Sequence, residues 1–272
     1  MTATAIPVRE SASFADILRQ SLNIILVVTM ILASNIEGVF GMGRSIAEQS
    51  ATNDTPLVPW EFAFAIWGPI FLGLIAYSII QGLPSNRAKP IFRATGWWTV
   101  LAFASVTLWG MAASLLDGNA SRWSTAFLFW PAVAGACIAT IRFSNDKHRL
   151  GATEKWLAWA PVSLFAGWVS LAMFLNWAQV GIHGGFGFGL SVTVISLLCL
   201  ALALAFISWQ LHLNRGNKVY AFPALWGLAL LAYGRLAMDD LNPVIGGTAV
   251  AGFLTLLWAA IAAGRRQQPA DI

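Results

Sequence analysis

Residues 59–82 read PWEFAFAIWGPIFLGLIAYSIIQG, and the class of the chain follows from them. Between Glu61 and Gly82 the only charged side chain is Glu61 itself. A run of about 20 mostly apolar residues is what an α-helix needs to cross a hydrocarbon layer of about 30 Å. Within the run, Trp60, Phe64, Trp67 and Phe71 recur at spacings of 4, 3 and 4, which predicts one aromatic face on one helix. Pro69, two residues beyond Trp67, predicts a kink that widens the space beside that face.

Comparable runs recur along the chain at 18–40, 95–116, 124–143, 156–178, 186–208, 219–236 and 244–264. Tyr220, Pro223 and Tyr233 make 219–236 the weakest of them. The whole chain is 58% hydrophobic and 10% charged, with mean hydropathy +0.69, whereas soluble domains carry about 25% charged residues. The expected fold class is all-α, a polytopic transmembrane helix bundle. The lipid bilayer is its first partner.

The cations set an expected orientation. With the N-terminus inside, the inner segments hold Arg9, Arg19, Arg87, Lys89, Arg93, Arg142, Lys147, Arg149, Lys155, Arg215, Lys218, Arg265 and Arg266. The outer loops hold Arg44, Arg122 and Arg235. Such asymmetry predicts an even number of spans and both termini in the cytoplasm of a cell inner membrane. The pI of about 9.4 then reflects topology and anionic lipid rather than nucleic-acid binding. The first span lacks a clean cleavage site and reads as a retained signal anchor, with Ser13 and Asp16 capping a short lead-in helix.

Little else carries chemistry. Cys137 and Cys199 lie in apolar spans and read as small buried hydrophobes, while His148, His183 and His212 stand in separate loops, so no metal site is expected. No Ser/His/Asp arrangement appears, and Gly185-Phe-Gly-Phe-Gly189 has the wrong spacing for a phosphate loop. Gly181, Gly185 and Gly189, spaced by four, read as a helix-packing device. The polar loop 41–59, with Arg44, Glu48, Asn53 and Asp54, is either a lid or a plain connector. Of the 14 tryptophans, most precede residue 180. The chain therefore divides into a working core, 1–180, and an additional three-helix segment, 181–272.

Two motifs carry a resemblance. Pro59-Trp-Glu-Phe-Ala-Phe-Ala-Ile-Trp67-Gly-Pro-Ile-Phe71 resembles the second helix of the TspO/translocator-protein (tryptophan-rich sensory protein) family, with Val58 and Trp60 departing from its pattern. Trp168-Val-Ser-Leu-Ala-Met-Phe-Leu-Asn176 is similar to that family's fifth-helix signature, and Trp109 to the tryptophan of its Asn-x-x-Trp motif. Val106 replaces the asparagine and Met173 a threonine, which removes polar contacts. The likeness spans about residues 18–180, and the Phe-Ala-Ile-Trp-Gly-Pro-Ile-Phe-Leu-Gly-Leu run looks closer still to the longer members of the superfamily.

The resemblance implies a five-helix core, here with about three added C-terminal helices, and a ligand cavity between helices one, two, three and five beneath the first loop. It implies binding of a porphyrin, a haem-like or a similar planar hydrophobic ligand, by a sensor, regulator or scavenger, with no cofactor required. Trp67 and Trp168 are the motif-matching cavity tryptophans; Phe71 and Ala172 match further positions, and Trp109 carries the third-helix motif. From the residues themselves, Trp168, Ala172 and Asn176 form an i, i+4, i+8 stripe on one helix, and the resemblance implies that it faces Phe64, Trp67 and Phe71. Glu37 and Glu61 are expected at the outer interface, either solvated or lining the cavity mouth. Any catalysis would be ligand-driven porphyrin photodegradation. Each buried ring contributes roughly 1.5–3 kcal/mol whether it meets ligand or protein, so energetics do not separate a pocket from core packing. A transporter of a small amphipathic solute and a structural membrane partner stay open, as does a homodimer.

Overall fold

The computed structural model describes residues 12–52, 55–238 and 241–265. Arg9, Asn53, Asp54, Asp239, Asp240 and Arg266 lie outside the described residues. The described chain is helical throughout, with eight helical segments long and apolar enough to cross a membrane.

The first span is α1 (Phe14–Ser34). Ser13 and Asp16 form a capping box on it: Ser13 Oγ accepts from the Asp16 amide at 3.3 Å, and the Ser13 amide donates to Asp16 Oδ2 at 3.0 Å. The pair therefore starts the span itself rather than a separate lead-in helix. The span is also shorter than expected, because the helix stops at Asn35 and resumes as α2 (Ile36–Phe40). A polar segment carrying α3 (Ile46–Thr52) follows.

The second span opens as a 3-10 helix, Glu61–Ile66, and becomes α4 at Trp67 (Trp67–Gly82). Pro69 explains the switch. It lacks an amide hydrogen, which the first turn of an α-helix does not need, so Pro69 begins a helix here instead of kinking one. The tighter winding before it (about three residues per turn) takes Trp60 out of the expected stripe. Trp60 packs instead on Tyr233, with ring centroids 5.1 Å apart.

The third and fourth spans are α5 (Pro90–Leu115) and α6 (Gly118–Asn145). The fifth enters through α7 (Ala152–Glu154) and one π turn, Lys155–Trp159, then continues as α8 (Ala160–His183). Pro161 would clash with the carbonyl four residues back in a regular helix, and the wider π turn relieves that clash. The last three spans are α9 (Val192–Leu213), α10 (Lys218–Ala237) and α11 (Pro243–Arg265). The sixth begins later than expected. Gly185 and Gly189 have φ of +81° and +74° and lie in a loop, so they share no helix face with Gly181.

α1 and α4 pack together, α1 also lies against α5, and α6 joins α5 to α8. At Gly110 of α5 a side chain would meet the Ala33 backbone of α1 at about 3.0 Å, so glycine allows that close approach. α10 packs on α8 and α11, with Tyr220 Oη donating to Ser170 Oγ at 2.9 Å.

Three cations at one end of the bundle are tied down. Arg93 grips Asp16 at 2.7 Å, Arg19 donates to the Arg87 carbonyl at 2.8 Å, and Lys89 pairs with Glu154 at 2.5 Å. Arg235 departs from expectation: it is a buried residue in the last turn of α10, not a loop cation.

Candidate functional site

The aromatic residues converge at the other end of the bundle. Trp67 is 7% exposed, Trp109 7% and Trp168 3%. Trp67 stacks on Trp109 (6.3 Å, 26°) and meets Trp168 edge-on (6.2 Å, 83°). Phe64 stands edge-on to Trp168 at 6.4 Å, and Phe129 of α6 closes on Trp109 at 5.3 Å. Offset and edge-on arrangements align ring edges with ring faces, the favourable sense of the aromatic quadrupoles.

This cluster borders a cavity. Phe64 and Trp67 come from the second span, Trp109 and Ala113 from α5, Thr125 and Phe129 from α6, and Trp168, Leu171, Ala172, Leu175, Asn176 and Gln179 from α8. Ile46, Gln49 and Ser50 of α3 cover it, with Val58 and Pro59 at the rim. The recess measures about 700 Å³ with its mouth, but the part open to the centre of a water molecule is about 60 Å³. The smaller figure governs what fits in this conformation: a few waters or a small group.

The structure thus gathers Phe64, Trp67, Trp109, Trp168, Ala172 and Asn176 on one cavity. Phe71 stacks on Trp67 at 5.1 Å but faces a neighbouring recess of about 250 Å³ with Ser34, Asn35 and Glu37. The two recesses share Ile46, Phe64 and Trp67. Glu61 is exposed at the start of the 3-10 helix and lines neither. Val106 and Met173 are fully buried and also line neither, so the two apolar replacements sit in the packing of the bundle.

One expected wall is exchanged. α6 supplies Thr125 and Phe129 to the main cavity, while no residue of α1 reaches it. The face of α5 that carries Gly110 is taken up by α1, and Trp109 points about 100° away from it, toward α6.

Sequence reasoning offered loop 41–59 as a lid but did not pick out Ile46, Gln49 or Ser50 within it, nor Thr125, Phe129 and Gln179. Gln179 continues the Trp168, Ala172, Asn176 stripe by one more turn, so its spacing was a usable signal. For α3 the signal is Ser45 with Glu48: the Ser45 amide donates to Glu48 Oε2 at 2.9 Å and the Glu48 amide to Ser45 Oγ at 3.1 Å, a capping box.

α3 is held as a cover at three points. Before it, Arg44 donates to the Leu116 carbonyl at 2.8 Å and pairs with Asp117 at 2.6 Å. From its middle, Gln49 Nε2 donates to Ser121 Oγ at 2.7 Å. After it, Arg235 of α10 donates to the carbonyls of Pro56 (2.9 Å), Thr55 (3.0 Å) and Val58 (3.2 Å).

The chemistry of the lining is uniform. Among the described residues, no Asp, Glu, Lys, Arg or His lines the main cavity. Besides the indole N–H groups of its tryptophans, its polar side-chain groups are the amides of Gln49, Asn176 and Gln179 and the hydroxyls of Ser50 and Thr125. Asn176 Oδ1 accepts from Trp109 Nε1 at 3.4 Å, and its Nδ2 donates back to the Ala172 carbonyl at 2.9 Å, which fixes the indole's orientation. Among the described residues no group of three His, Cys, Asp or Glu side chains could share a metal ion.

The aromatic box stands between the second, third, fourth and fifth spans, where the resemblance implies the first, second, third and fifth. Comparison with family profiles matches residues 20–262 to the family described as TSPO-like protein. The chain belongs to this family. No curated protein and no solved structure matches it. The match extends to residue 262, so the last three spans of this TSPO-like protein lie within the family's matched length. It is a multi-pass membrane protein with buried aromatic clusters.

Proposed function

We propose that the cavity binds a planar hydrophobic ligand, a tetrapyrrole or a molecule of similar shape, and that the protein acts as its sensor, regulator or scavenger. The observation that carries this reading is the Trp67, Trp109 and Trp168 box opening beneath a separately anchored cover. Flat rings on the walls favour a flat ligand by stacking and apolar burial. Ala172, between Trp168 and Asn176 on α8, leaves relief in the wall. With no charged side chain on the lining, the ligand body is neutral, and its polar edge meets Gln49, Thr125 or Gln179.

The open volume of about 60 Å³ is far too small for a macrocycle, so binding requires the cavity to widen, with the covering α3 as the part to lift. All residues lining the cavity fall between Ile46 and Gln179. This supports assigning ligand contact to residues 1–180, with 181–272 bracing that core through Arg235 and through Trp226, whose indole donates to the Ala63 carbonyl at 3.0 Å. The cation distribution supports a cell inner membrane with both termini in the cytoplasm.

The test is a titration of the detergent-purified protein with protoporphyrin IX and, in parallel, its dimethyl ester, following tryptophan quenching. The expected result is saturable quenching, stronger for the uncharged ester, and at least tenfold weaker binding in the Trp67→Ala, Trp168→Ala variant. Absence of quenching by both compounds, or unchanged binding in that variant, overturns the assignment.

A further inference from the structure

A second recess lies at the opposite end of the bundle. Thr125 of α6 lines the aromatic cavity and Ser144, 19 residues further along the same helix, lines the second recess. At 1.5 Å per residue that places the two sites roughly 28 Å apart. The recess has about 510 Å³ open to water and forms where the end of α6, the π turn of the fifth span and the α9–α10 connection meet.

Its lining is basic. Lys147, Lys155, Arg215 and Lys218 border it, and among the described residues no acid does. The acids closest in sequence to these cations are engaged elsewhere: Glu154 pairs with Lys89 at 2.5 Å, and Asp146 lies 3.7 Å from Arg149. Arg215 Nε donates to Asn145 Oδ1 at 3.0 Å, a neutral partner. Lys147 lies over the Trp159 ring at 3.8 Å. Burial, with the charge of Lys155, holds the Lys147 ammonium below the ordinary lysine range.

A second observation is independent of the charges. Asn214, 1% exposed, borders the recess, and its Nδ2 is buried without a hydrogen-bond partner, while its Oδ1 accepts from the Asn217 amide at 3.3 Å. A buried donor left unmatched costs free energy, and a ligand acceptor in the recess would satisfy it. The helix end itself is already occupied: Asn217 Oδ1 accepts from the amides of Val219 and Tyr220 at 3.0 and 3.2 Å. The donors on offer are therefore three ammonium groups, one guanidinium and one amide. That set matches the several oxygens of a phosphate better than a single carboxylate.

We propose that this recess binds a phosphate-bearing anion, supplied by the headgroup of an anionic membrane lipid. Trp156 on the rim is 72% exposed, as suits an indole seated at a membrane–water interface, and it favours the lipid over a free phosphate. Because the recess joins α6 and the fifth span to the α9–α10 connection, the bound anion would tie the ligand-holding core to the last three helices.

The experiment is native mass spectrometry of the full chain in neutral detergent, with cardiolipin, with phosphatidylcholine, and with inorganic phosphate as competitor. Cardiolipin is expected to remain bound where phosphatidylcholine does not. Removing two of the four cations in Lys155→Gln, Lys218→Gln should weaken it roughly thirtyfold, at about 1 kcal/mol for each cation. Arg149→Gln, an exposed cation at the same end but outside the recess, should leave binding within about twofold, a margin well below one lost cation. Millimolar phosphate that displaces the lipid, and itself binds in a Lys155- and Lys218-dependent way, would instead identify free phosphate as the source. Equal retention of both lipids, unchanged binding in the double variant, or an equal loss in Arg149→Gln would overturn the proposal. Lys218 is exposed, so the single variant Lys218→Gln, with about a fivefold loss expected, decides the matter if the double variant does not fold.

Discussion

Replacing Arg235 with methionine should release the cover over the aromatic cavity without unfolding the bundle. Arg235 is 6% exposed and reaches from α10 to three carbonyls of the segment that follows α3. Hydrogen bonds from a charged donor contribute about 1.5–3 kcal/mol each, but three from one guanidinium are not additive. Methionine keeps an apolar stem in the same space, so the net loss is about 3 kcal/mol. Spent locally, that raises the open population of the segment on the order of a hundredfold. Full burial of Leu57 holds the same segment independently, which keeps the effect from reaching further. Hydrogen exchange read by mass spectrometry should show protection falling by that factor for the amides of Gln49 and Val58, with α5 and α6 unchanged. Unchanged exchange at Gln49 and Val58 would refute the tether. Equal loss of protection throughout α5 and α6 would refute its local character. The planar ligand should also associate faster in this variant.

Two further substitutions test the packing. Gly167→Ala places a Cβ against the Tyr220 carbonyl of α10; helix propensity favours alanine by about 1 kcal/mol, overpacking costs about 1–3 kcal/mol, and backbone cannot give way as a side-chain tip would. A net loss is expected in denaturant unfolding of the purified protein, and a gain would show that α10 is free to move off α8. Asp16→Asn removes the carboxylate that Arg93 grips at 2.7 Å beside buried Arg19. Leaving those guanidiniums without their anion should cost about 3–5 kcal/mol and lower the melting temperature, and a variant as stable as the parent would mean that water or lipid phosphate already serves them.

The cavity walls were legible to different degrees, for physical reasons that attach to particular residues. Trp168, Ala172 and Asn176 lie on an uninterrupted α-helix, so their spacing alone placed them together. Trp60 misled because the periodicity argument assumes 3.6 residues per turn, and the chain winds more tightly up to Trp67. Glu37 and Glu61 have the same chemistry, yet one lines a recess and the other faces outward. That difference depends on the break at Asn35 and on the 3-10 helix, neither of which hydrophobicity registers.

Chain composition and the length of the apolar runs were enough to indicate a helical membrane protein with eight spans among the described residues, because in a bilayer every backbone group must be satisfied within its own segment. Two local motifs were enough to indicate its family. What only the tertiary structure decided is which helix faces which. α6 displaced α1 as a cavity wall, Arg235 became the anchor of the cover, and four cations from distant segments came to share one recess. Those outcomes rest on close approaches between helices such as that at Gly110, and on bonds between residues as far apart as Thr55 and Arg235. No local pattern encodes them, since lipid on every side gives a helix face little hydrophobic reason to prefer one neighbour over another.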